Sequence, residues 1–171
     1  MKNLNKNRVF RFNRRIRGIT NYNQRLRLLK SNLPRAVIRR SNKNMLVQFV
    51  NYGADGDQIT TSAKANELTK LGYNLNTGNL VASYLTGYLA GKRALNKGLK
   101  SEVIVDFGLQ KSHYGGNLYS AVKGIKDSGV KIRVSDVVFP TEERLGGSHL
   151  SVKDANKVIE KTKKAIEGLK K

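Results

Sequence analysis

Residues 35–62, which read RAVIRRSNKNMLVQFVNYGADGDQITTS, decide the fold. Three segments rich in β-branched and aromatic side chains, at residues 35–40, 45–52 and 58–62, are separated by the short segments SNKN and GADGD. β-Branched and aromatic residues favour strands, whereas Asn, Asp, Gly and Ser favour tight turns. The pattern therefore predicts three consecutive antiparallel strands that are joined by hairpins.

Beyond this meander the apolar residues recur at helical spacing, three and four positions apart. Helices are predicted over residues 63–71, 79–96, 118–128 and 151–169. In the second of these, Gly87 and Gly91 are expected to allow close packing of the helix on the sheet, because glycine has no side chain. In the last, Ser151 and Asp154 have the spacing of a capping box.

A further strand is predicted at residues 102–107, EVIVDF, because a short apolar run is typical of a strand covered on both faces. A last strand is expected at residues 131–134 or 137–139. The order of elements, a meander followed by strand–helix units, predicts an α/β domain with a mixed sheet flanked by helices.

The N-terminal quarter of the chain has a one-sided charge distribution. Its first 44 residues contain fourteen Lys and Arg but no Asp or Glu, and ten of the fourteen are Arg. The guanidinium group binds phosphate through paired hydrogen bonds and also stacks on bases. Because such a segment cannot neutralise itself, it indicates a polyanionic partner, and nucleic acid is the first candidate.

Two structural parts are predicted ahead of the meander. Residues 1–19 lack a sustained periodicity and are expected to form an extended basic arm that becomes ordered on its partner, although a merely floppy tail is the alternative. Thr20 is expected to cap a helix over residues 21–33, which ends before Pro34. Phe10 and Phe12 in the arm are candidates for stacking on unpaired bases.

Cysteine and histidine usage excludes several kinds of site. The chain has no Cys, which excludes disulfides, thiolate zinc sites and thiol catalysis. Its only imidazoles, His113 and His149, show no metal-binding motif. Asp106 follows an apolar run, as nuclease carboxylates do, but no other acid forms a recognisable set with it, and capping of a turn is its expected role. No metal, cofactor or small-molecule substrate is expected.

A glycine turn, Gly115-Gly116-Asn117, precedes the helix predicted at residue 118. Such a turn exposes backbone N–H groups that attract phosphate, but it equally serves as a flexible connector. With nucleic acid as the partner, Lys111 and His113 beside the turn become candidates for a secondary contact.

Three sequence blocks occur in an order and spacing typical of one family. They are residues 20–43, residues 77–91 (TGNLVASYLTGYLAG, the most distinctive) and residues 106–124, with Gly147 and His149 matching as well. These blocks resemble the archaeal and eukaryotic type of the large-subunit ribosomal protein family L-eighteen, whose members bind 5S rRNA. The resemblance covers roughly residues 8–150.

The resemblance implies a ribonuclease-H-like topology without nuclease activity, and a role in attaching 5S rRNA to the 23S-type rRNA of the central protuberance. It also implies neighbouring ribosomal proteins of the L-five family. The chain would then divide into a basic RNA-binding arm at residues 1–19, a 5S rRNA-binding domain at residues 20–150, and a Lys-rich C-terminal helix at residues 151–171. To the last eleven residues the resemblance assigns no function.

At the matching positions, the resemblance implies that arm and helix residues lie on 5S rRNA. These are Arg8, Arg11, Arg14, Arg15, Arg17, Tyr22 and Arg25. The first hairpin is expected to extend the basic surface through Arg35, Arg39, Arg40 and Lys43, and Lys111 with His113 is expected to add to it. For Tyr22, stacking on a base and packing against protein remain equally open.

Two other functions remain as alternatives. An RNA-processing nuclease of ribonuclease-H-like fold would need clustered carboxylates around Asp106. A peripheral membrane protein would use the Lys-rich face of the last helix. The sequence contains no run of 18 apolar residues and no apolar leader, so we expect a cytoplasmic, ribosome-bound protein with no membrane partner.

Overall fold

The computed structural model describes residues 11–150 and 155–169 of the chain. Within these ranges lies a four-stranded sheet with the strand order β3-β2-β1-β4. The strands are β1 Arg35–Arg40, β2 Met45–Asn51, β3 Gln58–Lys64 and β4 Ile104–Asp106. Strands β1, β2 and β3 pair antiparallel, whereas β4 runs parallel to β1. The predicted meander and the mixed α/β sheet are therefore confirmed.

Six α-helices flank the sheet in the described part of the chain. They are α1 Asn13–Ile16, α2 Tyr22–Leu29, α3 Leu80–Asn96, α4 Asn117–Asp127, α5 Glu142–Leu145 and α6 Ala155–Glu167. Helices α3 and α4 agree with their predicted spans to within one residue at each end. The helix predicted over residues 63–71 is instead the end of β3 followed by a 3₁₀ helix, Ala65–Leu71. None of the described helices is long and apolar enough to cross a membrane.

The hydrophobic core lies between one face of the sheet and helices α3 and α4. Ala36 and Ile38 of β1 are fully buried on this face, where they pair with Phe49 and Val47 of β2. Helix α3 is buried along most of its length, because α4 and α6 also pack against it. Burial of a side chain such as that of Phe49 contributes about 1.5–3 kcal/mol to stability.

The glycines of α3 pack against another helix, and the predicted contact with the sheet is wrong. A Cβ atom added to Gly87 would lie 2.0 Å from the carbonyl oxygen of Ala121 in α4. In the opposite direction, a Cβ atom on Gly124 of α4 would lie 2.1 Å from the carbonyl oxygen of Tyr84. The two helix backbones therefore touch directly at their crossing point.

Helix α6 closes the far side of α3. Its buried residues are Ala155, Ile159, Thr162 and Ile166. Lys163 Nζ lies 5.9 Å and 5.2 Å from the ring centres of Tyr84 and Tyr88, and Tyr88 donates a 2.7 Å hydrogen bond to Glu167. The predicted capping pair, Ser151 and Asp154, lies outside the described residues.

Helix α2 is shorter than predicted at both ends. Asn21 caps it in place of Thr20, by accepting a 3.2 Å hydrogen bond from the Gln24 backbone N–H. The helix ends at Leu29, well before Pro34. The reason is local, because the Ser31 hydroxyl donates to the Leu28 carbonyl and Asn32 takes the left-handed conformation, with φ of 53°.

The strand prediction at residues 102–107 is partly wrong, and so is the last strand that was predicted at residues 131–134 or 137–139. β4 is the edge strand of the sheet, so Ile104 and Val105 are only half-buried. Residues 131–134 contribute a single parallel bridge, between Val103 and Ile132, and Asp136–Val138 forms a 3₁₀ turn. The segment from residue 131 to 139 therefore follows the edge of the sheet without adding a strand to it.

Candidate nucleic-acid interface

The face of β1 that points away from the core carries two arginines. Because side chains alternate along a strand, Arg35 and Arg39 lie on the face opposite to Ala36 and Ile38. Helix α2 reaches this face through Arg25, one turn after its cap. The fold thus brings together three arginines of the acid-free N-terminal quarter.

Two carboxylates, Asp57 before β3 and Asp106 at the end of β4, join these arginines into one ion network. Asp57 lies 2.9 Å from Arg25 Nη2 and 2.7 Å from Arg35 Nη2. Asp106 lies 3.6 Å from Arg35 Nη1 and 3.3 Å from Arg39 Nη2. The network therefore runs from α2, through β1, to the end of β4.

Asp57 is held in its ionised form. Partial burial alone would raise the pKa of its carboxyl group, but the contacts with Arg35 and Arg25 outweigh this effect and lower the pKa below 3.8. Asp57 is therefore charged throughout the neutral range, and both arginines retain their counter-ion.

The structure places Arg35, which was predicted to contact RNA, inside the ion network and away from the surface. Its side chain is 2% exposed and lies between Asp57 and Asp106, although Nη2 lacks hydrogen-bond geometry toward Asp57. A buried guanidinium that is compensated by carboxylates is unavailable to an external phosphate. Arg25 and Arg39 are also paired, but their side chains remain 34% and 38% exposed.

Asp106 performs the turn-capping role that was expected of it. Its Oδ1 accepts a 2.7 Å hydrogen bond from the Gly108 backbone N–H, and its backbone carbonyl accepts a 2.6 Å bond from Arg39 Nη1. Among the described residues, no group of three His, Asp or Glu is placed to hold a metal ion. The Asp106 carboxylate is thus used in contacts within the protein, with the Gly108 N–H and two arginines.

The arm was predicted to be extended, but its described part includes the single helical turn α1. Arg11, Arg14, Arg15 and Arg17 are exposed there. Arg14 Nε donates a 2.9 Å hydrogen bond to the hydroxyl of Thr20, which fixes the turn relative to the start of α2. Arg8 and Phe10 lie outside the described residues.

Exposed apolar side chains accompany these cations. Phe12 is 69% exposed and packs on Tyr22, with the ring centres 5.0 Å apart. The contact accounts for one side of Tyr22, so packing against protein is present, whereas stacking on a base stays a prediction. Ile16 and Leu26 are also more than half exposed. Apolar side chains beside unpaired arginines are typical of surfaces that bind unstacked bases.

A second basic group forms where three loops meet. Arg40, Lys111 and His113 line a cleft of about 360 Å³, together with the start of helix α4 at Gly116. No side chain caps the N-terminus of α4, and the dipole of the helix favours anions there. The side chain of Gln110 exchanges two hydrogen bonds, of 2.9 and 2.6 Å, with the backbone of Arg40 and so fixes the loop to β1.

The β1–β2 turn that carries Lys43 is anchored from the opposite side. Thr77 Oγ1 donates a 2.7 Å hydrogen bond to the Lys43 carbonyl, and a Cβ atom on Gly78 would lie 2.5 Å from the Asn42 carbonyl oxygen. Only glycine permits this approach of the two loops. Lys43 itself is exposed beside the second basic group.

Two residues of the candidate site, Asp57 and Tyr114, were not identified from the sequence. Asp57 was treated only as part of a turn, although a buried arginine at the first position of β1 requires an acid across the sheet. Tyr114, which is 76% exposed next to His113, was also overlooked. An aromatic residue directly after His113 was the available signal.

The comparisons with known proteins agree with each other. A family model described as "Ribosomal large subunit proteins 60S L5, and 50S L18" matches residues 6–104. The large ribosomal subunit protein uL18 of Methanococcoides burtonii is 45% identical over 140 residues, which cover 82% of this chain and 80% of the relative. The uL18 protein of Korarchaeum cryptofilum is 43% identical over 141 residues, or 82% of this chain and 72% of that relative.

Proposed function

Since this chain belongs to the family of ribosomal large-subunit proteins that comprises 60S L5 and 50S L18, we propose that it binds 5S rRNA and helps attach it to the large-subunit rRNA in the central protuberance. As a member of the family it is a structural protein of the large subunit and a component of the cytoplasmic ribosome. Its partners are rRNA and other ribosomal proteins. For the protein partner we propose a neighbour of the L-five family.

The observation that carries the proposal is the division of the N-terminal cations. Of the eleven Lys and Arg within residues 11–43, Arg25, Arg35 and Arg39 pair with carboxylates. The other eight have no carboxylate partner within the described residues. They lie on α1, on α2 and at the β1–β2 hairpin, so they form a surface that requires an external polyanion.

The exposed arginines neutralise backbone phosphates and release condensed counter-ions, which drives binding. Bases in an A-form helix are not readable from its narrow major groove, so shape and unpaired nucleotides supply the specificity. Phe12, and at the second basic group Tyr114, are exposed rings that are available for unpaired bases. The arm at residues 1–19 remains in this proposal the part that reaches furthest along the RNA.

The described residues do not supply the clustered carboxylates that the nuclease alternative needs. Its one candidate carboxylate, Asp106, is bound to Arg35, Arg39 and the Gly108 N–H. A metal ion would have to compete with both arginines for the same two oxygens.

A salt titration of binding to a 5S rRNA transcript tests the proposal. For about eight phosphate contacts, log K should fall against log salt with a slope of about −6 to −7. A transfer RNA of the same concentration serves as the control for RNA specificity. A slope near zero, or equal affinity for both RNAs, would contradict 5S rRNA binding.

Charge-matched variants locate the contact surface. Changing both Arg15 and Arg17 to Gln should reduce the slope by about two, because each phosphate contact contributes about one. Changing Lys161 and Lys164 on α6 to Gln removes the same charge and should leave the slope unchanged. Equal effects of the two pairs would show that only net charge matters.

Deletion of residues 1–19 completes the test. We expect the remaining domain to stay folded, because no residue within 11–19 is buried. Binding to 5S rRNA should weaken sharply. Unchanged affinity at physiological salt would remove the arm from the mechanism.

A further inference from the structure

Helix α2 is short and has little packing of its own. Its eight residues include none that is fully buried, although Tyr22, Leu28 and Leu29 are half-buried, and it forms no extensive interface with another described helix or strand. Isolated helices of this length are marginal in water. Its cap at Asn21 stabilises the first turn but does not attach the helix to the sheet.

The ion network supplies the attachment. Arg25 Nη2 donates to both oxygens of Asp57, at 2.9 and 3.0 Å, across 32 residues of sequence. Asp57 in turn lies 2.7 Å from Arg35, which is buried in the sheet, so α2 is connected to a buried residue of β1. Within the described residues, Asp57 and Asp106 are the carboxylates that pair with Arg35, and the cost of a buried unpaired charge favours keeping Asp57 in place.

We infer that Asp57 is a positioning residue for RNA binding: it holds helix α2 docked on the sheet before RNA is present, so that the unpaired cations of α1 and α2 are already in place. The inference rests on the proposed function for its biological consequence. The docking itself is a property of the free protein. Preorganisation of this kind raises affinity because the binding-competent fraction is close to one.

The positioning role predicts that a substitution which raises the net positive charge will weaken RNA binding. Asp57→Asn raises the net charge from +21 to +22, and by charge alone it should strengthen binding to RNA. If the docked fraction instead falls to roughly one in ten, the apparent affinity falls about tenfold. The two explanations therefore predict opposite changes.

Asp55→Asn is the matched control. Asp55 lies in the same β2–β3 turn, is exposed, and has no ion pair or hydrogen bond from its side chain in the described structure. It undergoes the same change of charge two residues away. We expect it to bind 5S rRNA as tightly as the unchanged chain, or more tightly.

Amide hydrogen exchange of the free full-length protein tests docking without RNA. In Asp57→Asn, exchange across residues 22–29 should rise by at least about tenfold, while strands β1 to β3 stay protected. Should Asp57→Asn loosen the strands as well, because Arg35 loses a counter-ion, Arg25→Gln decides the matter. That change breaks the α2 connection and leaves the Arg35–Asp57 contact in place.

The outcomes separate the two proposals. Unchanged exchange across α2 in Arg25→Gln, or Asp57→Asn binding as tightly as Asp55→Asn with α2 still protected, would overturn the positioning role. Failure of the unchanged chain to bind 5S rRNA would instead overturn the proposed function, and the exchange measurement would still report on docking.

Discussion

Replacing Gly87 by Ala should separate the two central helices of the fold. The added Cβ atom would lie 2.0 Å from the carbonyl oxygen of Ala121 and 2.8 Å from its carbonyl carbon, whereas real Cβ atoms keep at least 3.0 Å. Both obstructing atoms belong to the backbone of α4, so no side chain can rotate away. The helices must move apart by about 1 Å in a close-packed interior that has no space for the displacement.

The magnitude follows from two opposing terms. Ala is favoured over Gly within a helix by about 1 kcal/mol. Overpacking of a core typically costs 1–3 kcal/mol, and rigid backbone obstruction places this site at or above the upper end. We therefore expect Gly87→Ala to lower the free energy of unfolding by about 2 kcal/mol or more. For a chain of this length the midpoint of thermal unfolding should fall by about 4–8 °C.

The assay is thermal unfolding followed by circular dichroism, with Gly168→Ala as the control. Gly168 follows α6, and the nearest atoms to an added Cβ are carbonyl oxygens at 3.6 Å, an ordinary contact. That variant should change stability by less than about 0.5 kcal/mol. Gly124→Ala obstructs the same crossing, so the double variant with Gly87→Ala should cost less than the sum of the two. If Gly87→Ala unfolds at the same temperature as Gly168→Ala, the backbone contact between α3 and α4 is refuted.

Three further predictions concern the ion network, the C-terminal helix and the second basic group. Because contacts with arginine lower the pKa of Asp57, its ionised carboxylate stabilises the fold above pH 3.8, and this stabilisation is lost as the pH falls through the lowered pKa. In Asp57→Asn, the midpoint of unfolding should therefore fall less steeply with decreasing pH than in the unchanged chain. Tyr88→Phe removes the 2.7 Å hydrogen bond to Glu167 and should cost about 0.5–1.5 kcal/mol in denaturant unfolding, with no loss if α6 is undocked in solution. Lys111→Gln should lower the salt slope of 5S rRNA binding by about one, whereas Lys100→Gln, at the opposite end of β4, should not; equal slopes would exclude the second group from the interface.

The sequence predicted the elements whose cause is local. Strand β1 was predicted at its observed bounds, because its β-branched run ends in a turn of Ser and Asn. Helix α3 was also predicted to within one residue, because its apolar residues recur at helical spacing, whereas the capping role of Asn79 was not predicted. The partner of Gly87 was predicted wrongly as the sheet, since the spacing of glycines shows that a backbone approaches but not which one. The edge position of β4 was likewise hidden, because it depends on which strands pair.

The positive charge of the candidate site was predicted from the sequence, but the ion pairs of its arginines with Asp57 and Asp106 were not. An acid-free quarter indicates an external polyanion, and the family comparisons agree with a ribosomal one. Which of its arginines remain available is decided by contacts across 22 residues for Arg35 with Asp57 and across 67 for Arg39 with Asp106. Such pairs form only after the sheet has assembled. Alternation along β1 did carry a signal, because an arginine at position 35 faces the same side as Arg39 and away from the core.

The carboxylates of the network do not oppose the attraction of RNA as much as their charge suggests. Three arginines and two aspartates leave the network with one net positive charge. Arg35, its most buried member, lies at the centre and contacts both aspartates. Arg25 uses only Nη2 in the hydrogen bonds of the described structure, so its Nε and Nη1 donors remain for an external anion. A guanidinium has five donors in a fixed plane, and it can hold a carboxylate on one edge while it meets a phosphate on another. Lysine, with a single ammonium group on a flexible stem, could not hold both in a fixed geometry, which gives a physical reason for arginine at position 25.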